Sequence, residues 1–211
     1  MEKNQDPNII YCGFLKAPLM ALGPGIRVGL WVKGCPLSCP GCIAPELQKW
    51  EAKDVHEVSD IASQILSLYE NCNATGVTIS GGEPFFQKEA LENLLKILRT
   101  EGVSDILVYS GYSHDKLGED CPWLPTLVTA LVDGPFEVER PTLETYKGSE
   151  GQVLYVFDSS QKKKYQRWST QKNRTLQIDT LPDGIRIIGI PYIGDFFPPD
   201  SPRTKKKVPL P

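Results

Sequence analysis

An α/β fold with a parallel sheet and an added C-terminal β-hairpin is what the sequence predicts, on three observations. Short β-branched segments alternate with amphipathic helical ones between Ile26 and Asp133, the alternation that builds parallel sheets through right-handed crossovers. Beyond Gly148 this rhythm stops, and the apolar runs of 176–190 pivot on Asp183-Gly184, a hairpin signal. The chain has 211 residues, 40% hydrophobic and 23% charged, enough for one well-buried domain of ordinary globular composition.

Taken in order, residues 8 to 22 mix apolar residues with Gly13 and Pro18 and are assigned no element, and Gly23-Pro24-Gly25 is a turn ahead of a strand. Ile26 to Val32 is that strand, β-branched and aromatic between glycines. Trp31 within it reads as core packing; Arg27 reads as a surface residue or as an anion-binding arginine facing an open interior. Residues 43 to 50 look irregular, and Asp54 with Glu57 reads as a capping box that starts a helix running to about Glu70 on Val55, Val58, Ile61, Ile65 and Leu68. Thr75 to Ser80 is a second strand, entering a Gly81-Gly82 turn, and Pro84 suits the first turn of a helix over about 87–99. Strands follow at Asp105 to Ser110 and Ala130 to Asp133, with a short helix between them, then at Gln152 to Phe157. Residues 161 to 174 are polar around Lys162-Lys163-Lys164.

The chemistry concentrates in Cys35-Pro36-Leu37-Ser38-Cys39-Pro40-Gly41-Cys42, three cysteines spaced C-x-x-x-C-x-x-C at the end of the first predicted core strand. A disulfide pairs thiols two at a time at fixed geometry, so a clustered triplet reads as a metal site. Thiolates select zinc, copper(I) or iron-sulfur clusters. A structural zinc site closes with four protein ligands, and the other cysteines, Cys12, Cys72 and Cys121, are isolated, while His56 and His114 form no ligand pair. A zinc knuckle completed by a distant residue is the competing reading. An iron-sulfur cubane held by three cysteines leaves one iron open, which suggests chemistry.

The cysteine loop followed by Ser80-Gly81-Gly82-Glu83-Pro84 and then Leu131-Val132-Asp133-Gly134-Pro135-Phe136 resembles the radical S-adenosylmethionine (radical SAM) superfamily. Within it the chain is most similar, over residues 20 to 155, to the small activating enzymes of anaerobic ribonucleotide reductase, sharing a glycine, Gly41, just before the third cysteine. The resemblance implies a partial (β/α) barrel open on one side. It also implies a [4Fe-4S] cluster on Cys35, Cys39 and Cys42, with S-adenosyl-L-methionine chelated by the fourth iron and cleaved to methionine and a 5′-deoxyadenosyl radical. The substrate it implies is a glycine of a large glycyl radical type partner enzyme, with flavodoxin or ferredoxin as reductant; a peptide, nucleoside or small metabolite is the alternative. From the residues themselves, two glycines permit close backbone approach, so Gly81, Gly82, Glu83 and Pro84 are candidates for the methionine end of the cofactor, with Glu83 facing its ammonium. Ser110 and Asp133, which end the third and fourth core strands, are further candidates, and Lys147-Gly148-Ser149 resembles an Arg-Gly-Ser stretch of the activases with lysine in the basic position.

A third reading, a non-catalytic iron-sulfur or zinc protein, is separated from these by whether the chain binds and cleaves SAM. Net charge of -3 does not favour nucleic acid as a partner, and no stretch approaches a membrane span or a signal peptide, so a cytoplasmic protein with reduced thiols is expected. The organisation expected is a barrel domain over 1–158, a hairpin extension over 159–197 and a disordered proline- and lysine-rich tail over 198–211.

Overall fold

The structure, a computed structural model, describes residues 6–182 and 184–191. Asp183 of the expected hairpin turn and the tail over 198–211 lie outside the described residues. Seven strands form one sheet: β1 (Ile9–Leu19), β2 (Arg27–Val32), β3 (Val55–Glu57), β4 (Gly76–Gly81), β5 (Ile106–Tyr109), β6 (Ala130–Asp133) and β7 (Val153–Val156), in the order β3-β1-β2-β4-β5-β6-β7. The four central strands, β2, β4, β5 and β6, are parallel, with β1 and β7 pairing antiparallel at either side of them. A separate two-stranded sheet pairs β8 (Gln177–Leu181) with β9 (Gly184–Ile188). The expected α/β partial barrel with an added hairpin is the architecture found.

The parallel strands are formed where the sequence is most continuously apolar, because such strands are covered on both faces. Helices α1 (Val58–Asn71) and α2 (Lys88–Thr100) cover one face, burying Ile61, Ile65, Leu91, Leu94, Leu95 and Leu98 against Val28, Leu30, Val77 and Ile79. Two short helices, α3 (His114–Asp120) and α4 (Leu124–Leu127), complete the β5–β6 crossover. The other face is filled near β5 and β6 by Tyr146 and by Tyr165 and Trp168 of α5 (Lys162–Ser169). No helix among the described residues is long and apolar enough to cross a membrane.

Several elements differ from expectation. Residues 9–19, assigned no element, form an 11-residue strand, and its pairing with β2 shifts register between Cys12 and Phe14 and again between Lys16 and Leu19. Such irregularities break the two-residue alternation by which a strand is read. The first helix begins at Val58 rather than Asp54, because residues 55–57 pair with β1 instead. The capping box belongs one turn earlier: the Glu51 N–H donates to Asp54 Oδ2 at 2.8 Å and closes a 3-10 turn. The polar segment after residue 161 is helical because every third or fourth residue meets the core, Tyr165 and Trp168 being buried.

Arg27 is neither a surface residue nor a ligand for anionic substrates. It is fully buried, pairs with Asp105 Oδ2 at 3.0 Å, and donates further to Thr78 Oγ1, Pro24 O and Val77 O. Lys164 Nζ and Tyr165 Oη reach the same Asp105 carboxylate. Burial opposes charge on both partners, yet the ion pair wins: the Arg27 pKa is raised and the Asp105 pKa lowered. This network forms the floor of the sheet, at the N-terminal ends of β2 and β5.

Candidate functional site

At the opposite end of β2 the chain runs from Val32 into the cysteine loop, where α/β folds place their ligands. Its root is held on all sides. The Lys33 N–H donates to Tyr11 O at 2.8 Å, Gly34 N–H to Leu47 O at 2.9 Å and Cys35 N–H to Gln48 O at 3.0 Å. The loop then doubles back through left-handed backbone at Ser38 and Gly41 (φ 48° and 71°), and the Cys42 N–H donates to Cys39 O at 3.2 Å. A Cβ at Gly41 would lie 2.9 Å from Val138 Cγ2, so the glycine allows the segment after β6 to close on the loop.

Cys35, Cys39 and Cys42 are half-buried free thiols. Burial pushes the Cys35 thiol up, while the N–H groups of Leu37 and Ser38 favour its thiolate. Among the described residues no three Cys, His, Asp or Glu side chains stand together as a finished metal cage. The donor set nevertheless fits an iron-sulfur cluster: three soft ligands on one short, glycine-bearing loop with backbone N–H groups directed at sulfur.

The Gly81-Gly82-Glu83-Pro84 turn lies against the root of that loop. The Gly82 N–H donates to Val32 O and the Glu83 N–H to Gly34 O, both at 2.8 Å. Gly81 has a φ of 113°, which favours glycine, and a Cβ at Gly82 would come 2.5 Å from Gly34 O and 2.9 Å from Leu47 O. Pro84 opens a 3-10 turn, Pro84–Gln87, that leads into α2, as expected for a proline in a first helical turn.

Glu83 is only 1% exposed. Its Oε1 accepts from the Phe85 N–H at 3.0 Å and from Ser110 Oγ at 2.9 Å, and its Oε2 accepts from the Gly111 N–H at 2.8 Å. Burial outweighs these donors and pushes the carboxyl pKa up to about 7. The structure therefore brings Glu83 and Ser110 together with Gly111 at the C-terminal ends of β4 and β5, directly below the cysteine loop, and Leu37 of that loop packs on Gly111.

Asp133 lies at the same end of the sheet but outside this cluster. Its Oδ2 accepts the His114 N–H at 2.6 Å and its Oδ1 the Val153 N–H at 3.3 Å, so it ties the start of α3 to β7. His114 stacks on Tyr155 at 4.2 Å, and Lys147 is buried beside Glu144. Sequence reasoning passed over Gln87, which is fully buried at the end of the Pro84 turn. A glutamine before an amphipathic helix reads as solvated, and only the long-range pairing of β1 makes it interior.

The family model for the 4Fe-4S single cluster domain matches residues 21–155. The anaerobic ribonucleoside-triphosphate reductase-activating protein of Enterobacteria phage T4 is 31% identical over 143 residues, 63% of this chain and 85% of that protein. The protein of the same description from Escherichia coli is 29% identical over 141 residues, 63% of this chain and 90% of the relative. A pyruvate formate-lyase-activating enzyme from Staphylococcus epidermidis is 39% identical over 84 residues, 38% of this chain and 34% of that enzyme. With the matched span containing the cysteine loop, the Gly-Gly-Glu-Pro turn and all four parallel strands, the chain belongs to the 4Fe-4S single cluster domain family and is a radical SAM enzyme of the activase type, with an iron-sulfur cluster and S-adenosylmethionine as its cofactors.

Proposed function

We propose that the protein activates a partner enzyme by abstracting a hydrogen atom from a glycine of that partner, which is of the glycyl radical type. The carrying observation is the coupling of two motifs: Glu83 is bonded through its backbone to Gly34, at the root of the cysteine loop, and through its carboxylate to Ser110 and Gly111. Cys35, Cys39 and Cys42 would hold three irons of the cluster. Bound there, the cluster and SAM would supply radical chemistry, one electron from the reductant splitting a carbon–sulfur bond of SAM into methionine and a 5′-deoxyadenosyl radical. Glu83 holds negative charge toward the methionine ammonium, and Ser110 and Gly111 fix the orientation of that carboxylate. Gly81 and Gly82 let the backbone approach closely. This partner class is supported by the relatives, which are activating proteins of anaerobic ribonucleoside-triphosphate reductase and of pyruvate formate-lyase. A small redox protein such as flavodoxin or ferredoxin is the reductant.

Anaerobic reconstitution followed by assay of 5′-deoxyadenosine tests this reading. The wild type is expected to take up one four-iron cluster and to release 5′-deoxyadenosine on reduction, and to transfer a radical to a glycyl radical partner. Cys35→Ala, Cys39→Ala and Cys42→Ala should each lose the cluster, whereas Cys12→Ala, Cys72→Ala and Cys121→Ala should keep it. Stoichiometric zinc without sulfide in protein purified without oxygen, with no later uptake of a cluster, would refute the proposal.

A further inference from the structure

Gln87 makes an interior contact that neither the family motif nor the proposed chemistry uses. Its side chain is 0% exposed. Oε1 accepts the Tyr11 N–H at 2.7 Å, and Nε2 donates to Tyr11 O and to Lys33 O, each at 3.3 Å. One side-chain amide thus joins three parts of the molecule: β1, the residue that follows β2, and the turn that carries Glu83. Tyr11 O also accepts the Lys33 N–H, so the amide joins a junction at which β1 and the residue after β2 already meet.

The position of this junction gives it a consequence. Lys33 is the second residue before Cys35, and Gln87 ends the 3-10 segment that Glu83 caps. The Gly34 carbonyl is taken by the Glu83 N–H and the Gly34 N–H by Leu47 O, while the Lys33 carbonyl is held by the Gln87 side chain and the Lys33 ammonium by Asp54. Only a side chain with an acceptor and a donor on one planar head, buried at this depth, satisfies both strands at once.

Resting on the proposed assignment of the cluster to Cys35, Cys39 and Cys42, we propose that Gln87 is a positioning residue that fixes the root of the cysteine loop relative to Glu83, and that it governs how tightly the cluster and SAM are held together. The amide touches neither group. It acts through the backbone of Lys33 on one side and through the Pro84 turn on the other.

Two variants and one control test this. Gln87→Met keeps the volume and removes both hydrogen-bonding functions. Gln87→Glu keeps the acceptor for Tyr11 and has a donor for Lys33 O only while its carboxyl is protonated. Leu98→Ala, in the buried face near the far end of α2, serves as a control for general destabilisation. Each is reconstituted anaerobically, and iron loss to a chelator and SAM affinity are measured beside the thermal midpoint. Gln87→Met is expected to lose iron about tenfold faster than Leu98→Ala and to bind SAM about tenfold more weakly, the scale of one net hydrogen bond left unmade in the interior. Gln87→Glu is expected to lose iron faster than wild type at pH 7.5, where an ordinary carboxyl is ionised and has no donor for Lys33 O. Variants that match Leu98→Ala in both readouts, or failure of both variants to fold, would overturn the proposal. A wild type that takes up no cluster would overturn the proposed function as well, which separates the two failures.

Discussion

Replacing Glu83 by glutamine removes a charge from the interior while keeping its shape, and the burial of Glu83 sets the size of the effect. In the folded chain its pKa stands at about 7 against 4.5 for the ordinary group. A carboxyl whose folded pKa is raised binds more protons folded than unfolded, so its burial costs nothing below the ordinary pKa; the cost grows through the window between the two values. Above that window it reaches about 3 kcal/mol. A ligand ammonium beside the carboxylate offsets this cost, which makes SAM affinity depend on ionised Glu83. At pH 6 roughly a tenth of the groups would be ionised and at pH 7.5 roughly three quarters, so affinity should be about fivefold to tenfold weaker at the lower pH. The ligand's own α-amino group, with an ordinary pKa of about 7.7–8.0, limits the gain at higher pH. Glu83→Gln should bind SAM about tenfold to a hundredfold more weakly at pH 7.5, the scale of a charge-assisted hydrogen bond, and should show no rise in affinity between pH 6 and 7.5. Equilibrium binding of SAM to reconstituted protein, with iron content measured on the same samples, reads both effects. Unchanged affinity at normal iron content, or an identical pH profile in the variant, would refute the assignment of Glu83 to the ammonium.

Two further outcomes follow from the packing. Gly82→Ala places a Cβ against the Gly34 and Leu47 carbonyls, which are backbone and cannot swing aside; the chain should fold but take up less than half the wild-type iron, measured by iron and sulfide analysis after reconstitution. Arg27→Met breaks the buried pair with Asp105 at the floor, and should cost about 3–5 kcal/mol in urea unfolding; loss of under 1 kcal/mol would show that Lys164 and Tyr165 suffice for Asp105.

The parallel strands were legible because their apolar runs and helix spacing are local properties. So were the cysteine loop and the Gly-Gly-Glu-Pro turn, since each packs its chemistry into a few consecutive residues. What was not legible depends on partners far away in sequence. β1 hides because Gly13 and Pro18 fall where its register shifts, and α5 hides because its two core residues, Tyr165 and Trp168, stand among lysines and polar neighbours. The Asp54–Glu57 pattern misled because a capping signal does not say which side chain caps, and pairing of residues 55–57 with β1 decided the matter. Arg27 was misjudged for the same reason: nothing within ten residues of it announces Asp105, which lies 78 positions away. At the site, the inward turn of Glu83 toward Ser110 and Gly111 depends on β4 and β5 being neighbours.

Kinship and foldability have different limits in this chain. The span shared with the family, residues 21–155, leaves out both β1 and α5. A fragment cut at those limits would bare the edge of β2, whose outer hydrogen bonds go to β1, and would leave Asp105 with Arg27 but without Lys164 and Tyr165. It would also lose Tyr11, and with it the residue that the Lys33 N–H and the Gln87 amide share. The part of the protein that carries its ancestry thus takes edge pairing, a carboxylate's partners and an amide's anchor from residues on either side of it, which no motif marks.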